Sequence, residues 1–202
     1  MNGPAPRLSI PTLAPSPAAL RAFAAAPEDV ATRAFAGVIG GAWERHGVAA
    51  LPLIGVDAGA TRRLLDRHFP GAAEAFEIPW NILAHARSDF SREDEIEDVL
   101  HLLLDHCARY DEETLWVAHA VATGCMGEDH LWEDMGLPSR VVLSQLLERH
   151  FTGLFRKNAE DMKWKKFFYK QLCDRAELFI CKSPSCGNCS DYQRCFGPED
   201  SR

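Results

Sequence analysis

Cys181, Cys186, Cys189 and Cys195 fall within fifteen residues, spaced C-x4-C-x2-C-x5-C. A thiolate run this tight can wrap one compact polynuclear centre, and iron–sulfur clusters are held by short cysteine runs of this kind. Structural zinc sites more often use two cysteine pairs separated by a longer insert, so the spacing favours a cluster and leaves zinc as the alternative. Disulfides fit less well. The chain has seven cysteines, an odd number, and Pro4, Pro6, Pro11, Pro15 and Pro17 interrupt any signal-peptide core. The expected compartment is a reducing cytoplasm, where cysteine runs bind metal or do catalysis. Between Cys181 and Cys195 no side chain is aliphatic. Such a segment buries too little apolar surface to offset its ordering entropy, and metal–thiolate bonds can supply the difference. Pro184 and Gly187 permit tight turns. The stretch after about Phe179 is therefore expected to depend on metal for its order.

The rest of the chain must present this tail. Its 202 residues, 47% apolar and 25% charged, suit one globular domain with a small appendage. The net charge of −7 gives no support to nucleic-acid binding. No apolar run approaches a membrane span. The pattern predicts an all-α fold: a bundle of five to seven helices followed by a loop-rich, cysteine-rich metal-binding tail. Residues 1–20, rich in Pro and Ala, are expected to be disordered, 21–178 to form the helical domain, and 179–202 the tail. A helix is expected over 28–46, weakened by Gly40-Gly41. Another is expected over 57–68, capped by Asp57 and stopped by Pro70. Ser91 can cap a helix bearing Ile96, Val99, Leu100, Leu103 and Cys107. Asp111 starts one with Leu115, Ala118, Ala122 and Cys125 on a stripe. Residues 138–150 follow, with Pro138 in the first turn, and a last helix spans about 161–176. No internal repeat stands out.

Other groups are candidates for the same chemistry. Cys173 lies eight residues before Cys181 and is a candidate ligand or sulfur relay. Cys125 and His130 are candidate additional donors, set against core packing for the thiol and a capping role for the histidine. Cys107 reads as a core thiol. His46, His68, His85, His101, His106 and His119 show no pairing. In and just after Met162–Lys170, Trp164, Phe168 and Leu172 should pack on the bundle. Lys163, Lys165 and Lys166 form a positive patch that can hold an anion or dock a partner. The acidic run around Glu93–Asp98 reads as a solvated helix face. No G-x-S-x-G, phosphate loop or H-E-x-x-H is present, so the chain is not expected to be an enzyme.

The block His130-Leu-Trp-Glu-Asp-Met-Gly-Leu137 resembles the nitrogen-fixation NifQ family. So do Leu143-Ser144, His150-Phe151, Asn158 and Asp161–Cys173. The tail, Cys181-x4-Cys186-x2-Cys189-x5-Cys195-Phe-Gly-Pro, is similar to that family's metal-binding signature. The resemblance covers about 120–198. It implies a cytoplasmic carrier of a molybdenum–iron–sulfur cluster, with these four cysteines as ligands. It further implies donation of molybdenum for synthesis of the nitrogenase iron–molybdenum cofactor, with the scaffold NifEN and the Fe protein NifH as partners. Thiolate and sulfide ligands suit iron and a reduced, sulfur-bound molybdenum. The residues alone leave two alternatives: a zinc-stabilised interaction module and a [4Fe–4S] electron carrier.

Overall fold

The computed structural model of the chain describes residues 13–86, 93–177 and 192–199. Every regular element among them is helical: α1 (Pro17–Arg21), α2 (Val30–His46), α3 (Ala58–His68), α4 (Ala72–Ala75), α5 (Trp80–Leu83), α6 (Glu93–Leu104), α7 (Glu112–Cys125), α8 (Leu131–Asp134), α9 (Arg140–His150), α10 (Thr152–Lys157), α11 (Trp164–Arg175) and α12 (Tyr192–Phe196). The six longer helices, α2, α3, α6, α7, α9 and α11, match the expected bundle. Of the six short ones, α4, α5, α8 and α10 are turns of helix in the connections, while α1 precedes α2 and α12 follows α11. None of the described helices is long and apolar enough to cross a membrane.

Local chemistry sets the boundaries. Asp57 accepts the Ala60 N–H at 2.7 Å and Asp111 the Thr114 N–H at 2.9 Å, as N-caps should. At α9 the cap is Ser139, which accepts from Val142 N–H, so Pro138 lies before the helix and not in its first turn. The cap expected at Ser91 lies outside the described residues.

Helix α2 is buried without a break from Ala34 to Gly41, the mark of a helix enclosed on all sides. It packs against α1, α7 and α9. Gly37 and Gly40 are spacers. A Cβ on Gly37 would stand 2.0 Å from the Met135 carbonyl oxygen, and one on Gly40 2.5 Å from the Pro17 Cα. Gly40 thus lets α1 lie directly on α2. Leu20 of α1 is fully buried, so Pro17–Arg21 is docked helix within a stretch expected to be disordered.

An internal repeat does exist, contrary to the sequence reading. A constant 82 positions separate Asp29 from Asp111, Thr32 from Thr114 and His68 from His150. Leu64-Leu65-Asp66-Arg67-His68-Phe69 reappears as Leu146-Leu147-Glu148-Arg149-His150-Phe151. The contacts repeat as well. Asp29 caps α2 at Thr32 as Asp111 caps α7 at Thr114. The Thr32 hydroxyl meets His68 Nδ1 at 2.9 Å, and the Thr114 hydroxyl meets His150 Nδ1 at 3.1 Å. The His68 carbonyl accepts from Ala25 N–H and the His150 carbonyl from Ala108 N–H. The pair α2–α3 is thus echoed by α7–α9. The halves are tied by crossed ion pairs, Arg67–Glu113 at 2.8 Å and Arg149–Asp29 at 3.1 Å. So few matched residues, spread over about 40 positions in each half, leave no periodic signal in one sequence.

The repeated histidines are the polar seam of the core. Thr32 donates to Asp29 at 3.0 Å, so it accepts from His68 Nδ1–H, and His68 Nε2 is left as a bare acceptor. His68 Nε2 and His150 Nε2 are both buried without a partner among the described residues. Burial holds both rings below their ordinary value of 6.5. An unfolded chain takes up protons near that value while the folded one refuses them. Stability should therefore be full above about pH 6.5 and fall as the pH drops below it. Urea unfolding at about pH 7.5 and about pH 5.5 checks this. The double variant His68→Gln, His150→Gln should be less stable at both values but lose less between them than the parent.

Candidate functional site

The turn between α10 and α11 is built by three polar side chains. Asn158, 9% exposed, brackets it: its Nδ2 donates to the Met162 carbonyl at 2.8 Å and its Oδ1 accepts Met162 N–H at 2.9 Å. Asp161 sits in the left-handed region at φ 55°, which Asp tolerates better than most residues. Arg140, the first residue of α9, donates to the Asp161 carboxylate at 2.8 Å, the Asp161 carbonyl at 2.9 Å and the Met162 carbonyl at 2.8 Å.

The same guanidinium reaches the C-terminal segment. Arg140 Nη1 donates to Glu199 at 2.6 Å, and that carboxylate is only 6% exposed. A second link lies beside it, where Lys163 N–H donates to the Cys195 carbonyl at 2.8 Å. Residues 192–199 are thus joined to the bundle by protein contacts. Trp164 fixes the start of α11: its indole N–H donates to the Ser144 hydroxyl at 3.1 Å and its ring stacks on Phe155.

A cleft of about 250 Å³ opens at this junction. His130, Lys163, Lys165, Lys166 and Arg194 line it, with Glu128, Asp129, Glu133 and Glu199 among the other walls. Each half of this set is positioned by its element. His130 N-caps α8, and Glu133 accepts the His130 backbone N–H at 3.1 Å. The His130 Nδ1 lies 3.9 Å from Glu199. Lys165 is committed: its ammonium donates to the Gly127 carbonyl at 2.8 Å and to Asp134 at 2.5 Å. It fastens α11 to the α7–α8 connection and is not a spare cation. Lys163 and Lys166 form no ion pair among the described residues.

The candidate ligands are placed unequally. Cys195 sits half-buried on α12, next to Arg194 of the cleft and hydrogen-bonded to Lys163. Cys181, Cys186 and Cys189 lie outside the described residues. Cys173 is half-buried on α11. It follows Lys166 by seven residues, hence on the same face and about 10 Å along the axis. Cys125 ends α7 at 3% exposure. Burial pushes its thiol up to about 12, with the nearby Lys165 ammonium acting the other way, which fits a packed core thiol. His130 alone among the three additional candidates lines the cleft. No three His, Cys, Asp or Glu side chains of the described residues converge on one metal position. The sequence reading missed Arg140, Glu199 and Arg194. Glu199 reads as one more charge in a polar tail, and nothing in the spacing links it to a residue 59 positions earlier.

A family model described as NifQ matches residues 34–197. Protein NifQ of Azotobacter vinelandii is 42% identical over 163 residues, covering 77% of this chain and 84% of the relative. Protein NifQ of Rhodobacter capsulatus is 38% identical over 151 residues, covering 75% and 78%. Protein NifQ of Klebsiella pneumoniae is 42% identical over 82 residues, 40% of this chain and 48% of the relative. No solved structure gives a significant match.

Replacing Arg140 by Gln leaves Glu199 buried without its cation and costs about 1–3 kcal/mol of docking. Hydrogen exchange at residues 192–199 should then quicken by about tenfold or more, while α2 and α7 keep their protection. Unchanged exchange there would show that the latch does not hold the segment.

Proposed function

The chain belongs to the NifQ family, a family of nitrogen fixation, and on that premise we propose that it is a molybdenum carrier. Its cargo is a molybdenum–iron–sulfur cluster held by Cys181, Cys186, Cys189 and Cys195. Its task is to give up molybdenum for synthesis of the nitrogenase iron–molybdenum cofactor. The observation that carries this reading is the family match running through the cysteine segment to residue 197. The position of Cys195 supports it: the one described member of the set is tied to the bundle beside a cleft lined by cations.

The chemistry follows from the donor set. Four thiolates are soft ligands that suit iron and sulfur-bound molybdenum. They carry negative charge onto a protein already at −7, and cations nearby lower the cost of gathering it. Lys163, Lys166 and Arg194 stand beside the described segment that carries Cys195. His130, in the cleft wall, is read as the additional donor for a metal that takes more than four ligands. Cys173 is the reserve thiol on the helix that leads towards the cysteine segment. A carrier needs no catalytic constellation, and the chain is read as a donor to the NifEN scaffold with NifH taking part, in the reducing cytoplasm.

Metal analysis of anaerobically purified protein tests the reading. Iron and molybdenum should be present together, and each of Cys181→Ala, Cys186→Ala, Cys189→Ala and Cys195→Ala should lose most of both. The helical circular-dichroism signal should stay, because the core is made by α1–α11. Zinc alone in the purified protein would point to a structural module, and iron without molybdenum to an electron carrier.

A further inference from the structure

We propose that the cleft beside Cys195 binds a tetrahedral oxyanion, held by Lys163, Lys166 and Arg194. The proposal deepens the carrier reading, from which it takes only the choice of anion to test.

The distribution of charge points to this. Arg33, Arg63, Arg67, Arg140, Arg149 and Lys165 each face a carboxylate within 3.1 Å. Lys163 and Lys166 face none among the described residues, and both line the same cleft. The carboxylates around them are engaged or solvated. Glu199 is taken by Arg140 and Glu133 accepts from His130 N–H, while Glu128 and Asp129 stand exposed at the rim. Lys163 and Lys166 are thus cations with no ion-pair partner among the described residues, and such groups attract a mobile anion.

Size and donor type agree. A cavity of about 250 Å³ is several times the roughly 30 Å³ share of one water molecule, which leaves room for a small oxyanion with part of its hydration. Lysine ammoniums are rotatable point charges that serve a tetrahedral anion in many orientations, and an arginine fork adds a paired contact. The cleft is also a fixed structure. Lys163 is tied through its N–H to Cys195, Lys165 is pinned to Asp134, and Arg140 closes the turn behind them. An anion held here waits next to the segment that carries Cys195. The proposal is one of binding, with no bond to the anion made or broken.

Equilibrium dialysis of labelled molybdate against the full chain, freed of metal by chelation, tests it, with tungstate as competitor. A single saturable site displaced by tungstate is expected. The double variant Lys163→Gln, Lys166→Gln should weaken it by at least about tenfold, and Glu128→Gln with Asp129→Asn should tighten it, since removing rim carboxylates favours an anion. Lys157→Gln, exposed on α10 and outside the cleft, should change nothing. Absence of saturable binding, or equal affinity in the lysine double variant, overturns the proposal. The opposite sign expected of the carboxylate variant separates a site from a folding defect. If molybdate binds here yet the protein never builds a molybdenum-containing cluster from iron and sulfide, the cleft stands and the carrier reading fails.

Discussion

A single guanidinium, that of Arg140, joins three parts of the chain that lie far apart in sequence. It begins α9, closes the turn at Asp161–Met162, and holds the Glu199 carboxylate near the C-terminus. The planar fork of Arg makes this possible, because its several donors point along fixed directions and need not choose one partner. A lysine ammonium has three donors too, but they spread from one nitrogen and could not span the Glu199 side and the Asp161–Met162 side together. The partners are nearly enclosed, with Arg140 19% and Glu199 6% exposed, so each depends on the other for solvation. This contact borders the cleft: the turn that Arg140 closes leads directly into Lys163 and α11, and Glu199 is one of the cleft walls.

The duplicated architecture explains why such a contact can exist without loosening the bundle. Two helix pairs, each sealed by an Asp-capped Thr and a buried His, lock together through crossed ion pairs. The connections between the paired helices are then free to diverge. In the first half the connection lies against α7, where Ile54 N–H donates to the Thr123 hydroxyl and His119 meets the Ile54 carbonyl. In the second half the same stretch holds α8, His130, the anchor for Lys165 and one wall of the cleft. One half supports packing, and the other carries the candidate chemistry.

Much of this was legible in the residues. Asp57 and Asp111 mark their helices by capping chemistry, which acts within three residues and so shows in the sequence. The Trp164–Phe168 stripe shows for the same reason, since one helix turn relates its members. Lys163, Lys165 and Lys166 read alike as a patch, yet the structure separates them: Lys165 is spent on Asp134 and Gly127, and that partner lies 31 residues away. Glu199 and Arg140 are hidden by a longer separation still, 59 residues. The repeat escaped notice because a cap, a hydroxyl and an imidazole fix the fold at a few points, while the residues between them need only be apolar. Family membership could be read from the local block at His130–Leu137 and the cysteine spacing, and the relatives bear that out.

The central claim is that this chain delivers molybdenum from its own thiolate-bound cluster. The most direct measurement is a cofactor-assembly mixture without molybdate, containing competent scaffold, Fe protein and anaerobically prepared protein shown to hold molybdenum. The account predicts active iron–molybdenum cofactor in that mixture and none when metal-free protein replaces it. Failure with loaded protein, in a mixture where added molybdate restores activity, would contradict direct donation and leave storage as the role of the cluster.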